Sequence, residues 1–211
     1  MSASRRVEVQ RAALGIRAHS GWAAMVAVTH EAGGLRVLDR RRIVVIDGTG
    51  PRAKQPYHFV EHLPLDKARA HLDRCEQTAI RLAAAGLKDT VDALRESRHE
   101  VVGCAILQAS GRALPELARI LASHAMIHAA EGEFFRNVFA QACEQMGIGV
   151  AKIRERELFE RGSAELEMAA ARLKAKVAGL GKALGPPWTQ DQKSAALAAW
   201  LVLGGKKRTA S

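Results

Sequence analysis

Ala12 to Thr29 reads AALGIRAHSGWAAMVAVT. Two apolar runs, Ala12 to Ala18 and Trp22 to Thr29, flank Ser20-Gly21. Both are of strand length, and the break between them suits a tight turn. His30-Glu31-Ala32-Gly33-Gly34 is a second turn signal, because paired glycines reach positive φ without steric cost. A third run, Leu35 to Ile46 (LRVLDRRRIVVI), completes an antiparallel meander. Its polar middle, Asp39 to Arg42, reads as a bulge or a wet edge.

Downstream the pattern changes. Residues 47–65 carry Gly48, Gly50, Pro51, Pro56 and Pro64 and read as a long loop. Asp66 is expected to cap a helix that Gly86 ends, with a short helix from Asp89 to Ser97. Glu100 to Leu107 holds VVGCAIL, a strand buried on both faces. Helical periodicity runs from Ala113 to Met146, too long for one ordinary helix, with a break expected near Ser123 or Gly132. Ile148 to Ile153 is a further strand. Residues 163–180 are expected as a helix capped by Ser163, and Gln190 to Leu203 as the last. The order β-β-β-α-(α)-β-α-β-α-α gives an α/β mixed sheet: a three-stranded antiparallel meander, then parallel strands reached by helical crossovers. One domain over 12–203 is expected, between a flexible basic arm at 1–11 and a flexible basic tail at 204–211.

Composition narrows the partners. The 211 residues are 48% hydrophobic and 26% charged, ordinary for a globular chain. The net charge is +10 and the pI near 10.1. Such a surface attracts polyanions, nucleic acid first; the alternative is a solvated face that aids solubility. Aromatic residues are only 4%, which argues against a dedicated single-strand binder. Cys75, Cys104 and Cys143 form no C-x-x-C pair and read as free thiols. Met1 to Gln10 has no apolar core of a signal peptide, and no apolar run has the length of a membrane span. The expectation is a cytoplasmic protein without membrane association. No P-loop, dinucleotide fingerprint or Gly-x-Ser-x-Gly elbow is present.

Three segments carry a family resemblance. Leu14-Gly15-Ile16-Arg17 followed by Gly21-Trp22-Ala23 resembles the first two strands of the Holliday-junction resolvase (RuvC-like) family, within the RNase H-like group. Glu131-Gly132 through Gln145-Met146-Gly147-Ile148-Gly149-Val150 resembles that family's helix, glycine turn and short strand. Asp191 through Ala195-Ala196-Leu197-Ala198 resembles its last helix. The resemblance implies an RNase H-like fold and, in active members, carboxylates on the first strand, the fourth strand and a late helix that hold two divalent cations. Here Arg17 stands at the first position, and the fourth strand has no acid past Glu100. Asp191 is followed by Ser194 and Ala195. The resemblance therefore transfers a scaffold with a degenerate site.

Three readings remain open. The first is a non-catalytic RNase H-like domain that binds nucleic acid through Arg17, Arg40, Arg41, Arg42, Arg52 and Lys54. Further basic charge comes from Arg36, Lys174, Lys176, Lys182, Lys206, Lys207 and Arg208. The second is a metal-dependent hydrolase or nuclease with a rebuilt site. His124, His128 and Glu131 share a helix face at i, i+4 and i+7 and suit a divalent metal. His19 and Asp191 are its candidate catalytic residues, with Tyr57, His58, Glu61 and His62 as a lid over the same cleft. Their ordinary alternatives are a turn histidine, a first-turn acid, helix-face polar residues and a loop packed on the core. The third is a structural or oligomerising protein, a homodimer that uses its Ala-rich helices as an interface.

Overall fold

The computed structural model describes residues 9–48, 51–109 and 113–204, without the side chains at 51 and 52. Of the expected basic arm only residues 9–11 fall within it, and Gln10 and Arg11 already belong to a strand. Of the expected tail only Gly204 does, as the end of the last helix.

Five strands form one sheet: β1 (Gln10–His19), β2 (Trp22–Glu31), β3 (Gly34–Val44), β4 (His99–Gln108) and β5 (Val150–Arg154), in the order β3-β2-β1-β4-β5. β1, β2 and β3 pair antiparallel, and β4 and β5 add on parallel. The meander and the crossover strands are as the sequence predicts. A bulge falls just before the polar middle of β3: Val28 pairs with Val37 and Ala27 with Asp39, leaving Leu38 as the extra residue.

The helices are α1 (Pro51–Lys54), α2 (Pro56–Val60), α3 (Leu65–Glu96), α4 (Leu117–Leu121), α5 (His124–Gln145), α6 (Leu158–Glu165), α7 (Ala170–Gly179) and α8 (Gln190–Gly204). Four expectations need correction. Asp66 is not the cap of the long helix: Pro64 holds that position and Asp66 lies in the first turn of α3. The 47–65 loop contains α1 and α2, because buried Pro56 and Val60 anchor a turn of helix there. Gly86 does not end a helix. It lies within the 32-residue α3, where a Cβ would come 2.7 Å from Ile43 Cγ2. It is a close-packing point against β3. Ser163 is inside α6 and not a cap; a new helix starts only at Ala170. The expected break at Ser123 does separate α4 from α5.

Side-chain alternation along β1 divides the core. Ala12, Leu14 and Ile16 face α3 and α5, where Phe135, Val138 and Phe139 pack. Ala13 faces α6, α7 and α8. Gly15 lies on this second face. A Cβ there would sit 1.9 Å from the Ala195 carbonyl oxygen, so only glycine lets α8 lie directly on β1. The alanines of α8 (195, 196, 198 and 199) are fully buried by this contact, so they serve the chain's own core and not an interface. No helix among the described residues is long and apolar enough to cross a membrane.

Candidate functional site

The contact at Gly15 fixes where α8 begins. Thr189 precedes the helix, and its hydroxyl lies 3.3 Å from the Asp191 N–H. Gln192 Oε1 accepts the Thr189 N–H at 2.8 Å, the reciprocal half of a capping box. Asp191 is thus a first-turn acid, held above the C-terminal end of β1. There it meets Arg17.

Arg17 is clamped on two sides. It donates to Asp191 Oδ1 through Nη1, and to Glu155 Oε1 through Nε at 3.0 Å, with Nη2 2.8 Å from the same oxygen. Burial alone would lower the guanidinium's pKa, but the hydrogen bonds and charges of Glu155 and Asp191 outweigh it and raise the pKa. Arg17 is a fixed cation between two carboxylates. Glu155 was not foreseen from sequence. It follows β5, where the string IRERE (residues 153–157) gives no hint which acid turns inward.

The row continues across the sheet. His19 Nε2 lies 3.3 Å from Asp191 Oδ2, outside hydrogen-bond geometry. Its ring stacks on Trp22, centroids 4.3 Å apart and planes 13° from parallel. The Arg42 guanidinium covers the Trp22 ring at 3.7 Å. Trp22, Arg42 and Lys54 then border a cleft of about 460 Å³, together with Asp47 and the Gly21 turn. Neither Arg42 nor Lys54 forms an ion pair among the described residues.

The other expected phosphate contacts are differently placed. Arg40 gives both terminal nitrogens to backbone carbonyls: Gly185 at 2.9 Å, Leu184 at 3.1 Å, Pro186 at 3.2 Å and Pro187. It pins the loop before α8. Arg41 donates to Asp39 Oδ2 at 2.6 Å. The Arg52 side chain, Lys206, Lys207 and Arg208 lie outside the described residues. Arg36 pairs with Glu31, and Lys176 sits 5.1 Å over the Trp200 ring. Six cations nominated by sequence thus reduce to two, Arg42 and Lys54, that are described and unpaired.

Nor do the histidines form one site. His19 is on the α8 face of the sheet. His124 and His128 begin α5, on the opposite face. His58 of α2 joins those two and does not lie over the His19 cleft as a lid. Its Nδ1 is 3.2 Å from Glu131 Oε1, which also accepts the backbone N–H groups of Tyr57 (2.8 Å) and His58 (3.1 Å). Burial pushes the Glu131 carboxyl above the usual carboxylate range, partly offset by these donors. Glu131 Oε1 therefore orients His58, and it is a His58 ring nitrogen that comes together with those of His124 and His128, where the expected set was His124, His128 and Glu131. Sequence spacing missed His58 because it lies on another helix, far along the chain.

The carboxylates at the end of β1 do not fit a two-cation centre. Asp191 and Glu155 both bind Arg17, a permanent positive charge. The β4 residues that run alongside, Ile106, Leu107 and Gln108, offer no acid. Glu100 pairs in register with Arg11, at the opposite end of the strand.

This sheet order, with a helix lying across the first strand, is the RNase H-like α/β fold. Within that class its structural resemblance is to Holliday-junction resolvases. Thermus thermophilus RuvC superposes with a TM-score of 0.52 at 15% identity, over 90% of this chain and 92% of that one. T. thermophilus RuvC in complex with a Holliday junction substrate gives 0.51 at 14% identity, over 92% of each chain. The yeast mitochondrial Holliday junction resolvase Ydc2 gives 0.44 at 8% identity, covering 95% of this chain and 79% of that one. No protein-family model matches the chain, and no curated protein does.

Proposed function

We propose that this chain is a nucleic-acid-binding protein that does not cleave its ligand. The observation that carries the reading is the row Glu155–Arg17–Asp191–His19–Trp22–Arg42. At one end an internal cation occupies the carboxylates that a phosphodiesterase would need for metal ions. At the other end Arg42, held flat by Trp22, and Lys54 border an open cleft. A guanidinium and an ammonium at its rim suit backbone phosphates, and phosphate contacts position without reading sequence. The net charge of +10 supplies long-range attraction. A branched duplex is the first ligand to try, since a similar fold has been solved on a Holliday junction.

The test is fluorescence anisotropy with four-way junction, duplex and single-stranded probes over a salt titration. Binding should weaken linearly in log–log form as salt rises. The double substitution Arg42→Ala, Lys54→Ala should lower the slope by about 2, roughly one unit per phosphate contact. No binding of any probe at low salt overturns the proposal. So does Mg²⁺- or Mn²⁺-dependent cleavage that is lost in Asp191→Asn, since that carboxylate would then be serving metal ions.

A further inference from the structure

The histidine cluster on the opposite face of the sheet has no part in that reading. His58, His124 and His128 each offer a ring nitrogen, and these nitrogens all lie within 4.8 Å of one another. His124 and His128 are one helical turn apart at the start of α5, and their Nε2 atoms approach to 3.1 Å. The His58 ring meets both edge-on, with centroids 5.4 Å from His124 and 4.7 Å from His128. We propose that these three imidazoles form a binding site for a divalent transition metal of the zinc class, with the fourth position open to solvent.

Geometry and chemistry both favour this ligand. Zinc–nitrogen bonds of about 2.0–2.1 Å at tetrahedral angles place ligating nitrogens about 3.3 Å apart. The His124–His128 pair already has that spacing. Modest ring rotations close the rest, and the two α5 histidines are exposed enough to make them. Three neutral imidazoles suit zinc, nickel or copper and not magnesium or calcium, which take oxygen ligands.

The second observation lies beneath the ring of His58. Glu131 is 5% exposed and sits in the core of α5. Its Oε1 takes the His58 Nδ1 contact, and a proton held on Nδ1 there leaves the Nε2 lone pair for a metal. Its Oε2 is buried with no partner. A carboxylate that holds one histidine and places negative charge under a group of three is the usual support of a histidine–metal site. Oε1 is satisfied by the Tyr57 and His58 N–H groups, whereas Oε2 has no partner among the described residues, and an unpaired buried oxygen costs stability.

The site also joins two chain segments. α2 is one short turn packed between α3 and α5. A metal shared by His58 and the start of α5 would fasten that turn, and would do so without any nucleic acid present.

The experiment uses the full chain without an affinity tag, stripped with chelator and titrated with zinc chloride against a chromophoric competitor. One zinc per chain is expected. Cobalt(II) in its place should give the intense visible bands of a tetrahedral or five-coordinate nitrogen site. His124→Ala with His128→Ala should weaken zinc by about 100-fold or more. Both side chains are exposed, so circular dichroism should show an unchanged fold. Glu131→Gln keeps the shape and should weaken zinc by about 10–100-fold. His58→Gln should weaken it as much, and thermal stabilisation by zinc should vanish with it. Wild type that binds no stoichiometric zinc overturns the proposal. Zinc affinity and cobalt spectrum unchanged in the His124/His128 variant do so as well. An unchanged affinity in folded His58→Gln would reduce the site to a surface histidine pair and refute the three-ligand assignment.

Discussion

Replacing Arg17 with methionine keeps the apolar stem and removes the guanidinium. The Arg17 side chain is 25% exposed, that of Asp191 21% and that of Glu155 40%. Breaking a fully buried ion pair costs about 3–5 kcal/mol, whereas an exposed pair contributes about 0–1 kcal/mol. The Arg17–Asp191 pair lies between these limits, and the more exposed Glu155 is screened by solvent. The loss should therefore be about 2 kcal/mol, or about 4–8 °C in Tm for a domain of this size. Urea denaturation followed by circular dichroism measures it, and the penalty should shrink at high salt. The decisive comparison is the same substitution with Glu155→Gln and Asp191→Asn already present. There it should cost under about 0.5 kcal/mol, because neither partner retains a charge to strand. An equal cost in both backgrounds would refute the ion-cluster argument. A second readout concerns ligand binding. With its donors engaged by protein, Arg17→Met should leave the salt slope of nucleic-acid binding unchanged, whereas a true phosphate contact would lower it by about 1.

Gly15→Ala forces a Cβ against the Ala195 carbonyl oxygen; it should cost about 3 kcal/mol or more, at the upper end of overpacking penalties, while Gly33→Ala, with nothing within 4 Å, should be near neutral in the same denaturation assay. Arg40→Met removes the donor to the carbonyls at 184–187; proteolysis should then cut first in the segment before α8, and an unchanged cleavage pattern would show that another group holds it. Burial, and then the Lys176 ammonium, lower the His30 pKa, and its Nε2 accepts from Trp200 Nε1 at 3.2 Å. The unfolded chain therefore takes up this proton first as pH falls. The stability His30 contributes is complete above about pH 6.5 and is lost as pH falls through the folded value. Lys176→Gln should raise the His30 midpoint followed by NMR, and an unmoved midpoint would leave burial as the whole cause.

Much of the scaffold was legible because its signals are local. Apolar runs of strand length and paired glycines are each decided within a few residues. Gly86 misled because a glycine reads as a terminator until one sees Ile43 packed against it. The site was half legible. Arg17, His19, Trp22 and Asp191 could be named because two turns and one helix start bring them together. Glu155 could not, since nothing local aims one acid of a mixed-charge string at β1. The partners of the basic residues were illegible for a related reason. Charge shows in sequence, but partners do not: Arg40 and Arg41 look as free as Arg42 until their carbonyl and carboxylate partners are in place.

The arginine at the end of β1 follows from the electrostatics of the fold itself. Placing α8 on Gly15 brings the first-turn acid Asp191 over the end of β1, and the turn after β5 adds Glu155. Two carboxylates converging at a partly buried sheet edge need positive charge between them. Divalent cations supply it in a two-metal nuclease. A guanidinium supplies it here, with five donors in a fixed fork and no dependence on metal supply. Its hydrogen bonds and charge offset those of both carboxylates. Beside this cluster, Arg42 and Lys54 stand unpaired among the described residues at the rim of the cleft, and on the opposite face of the sheet three histidines gather next to buried Glu131.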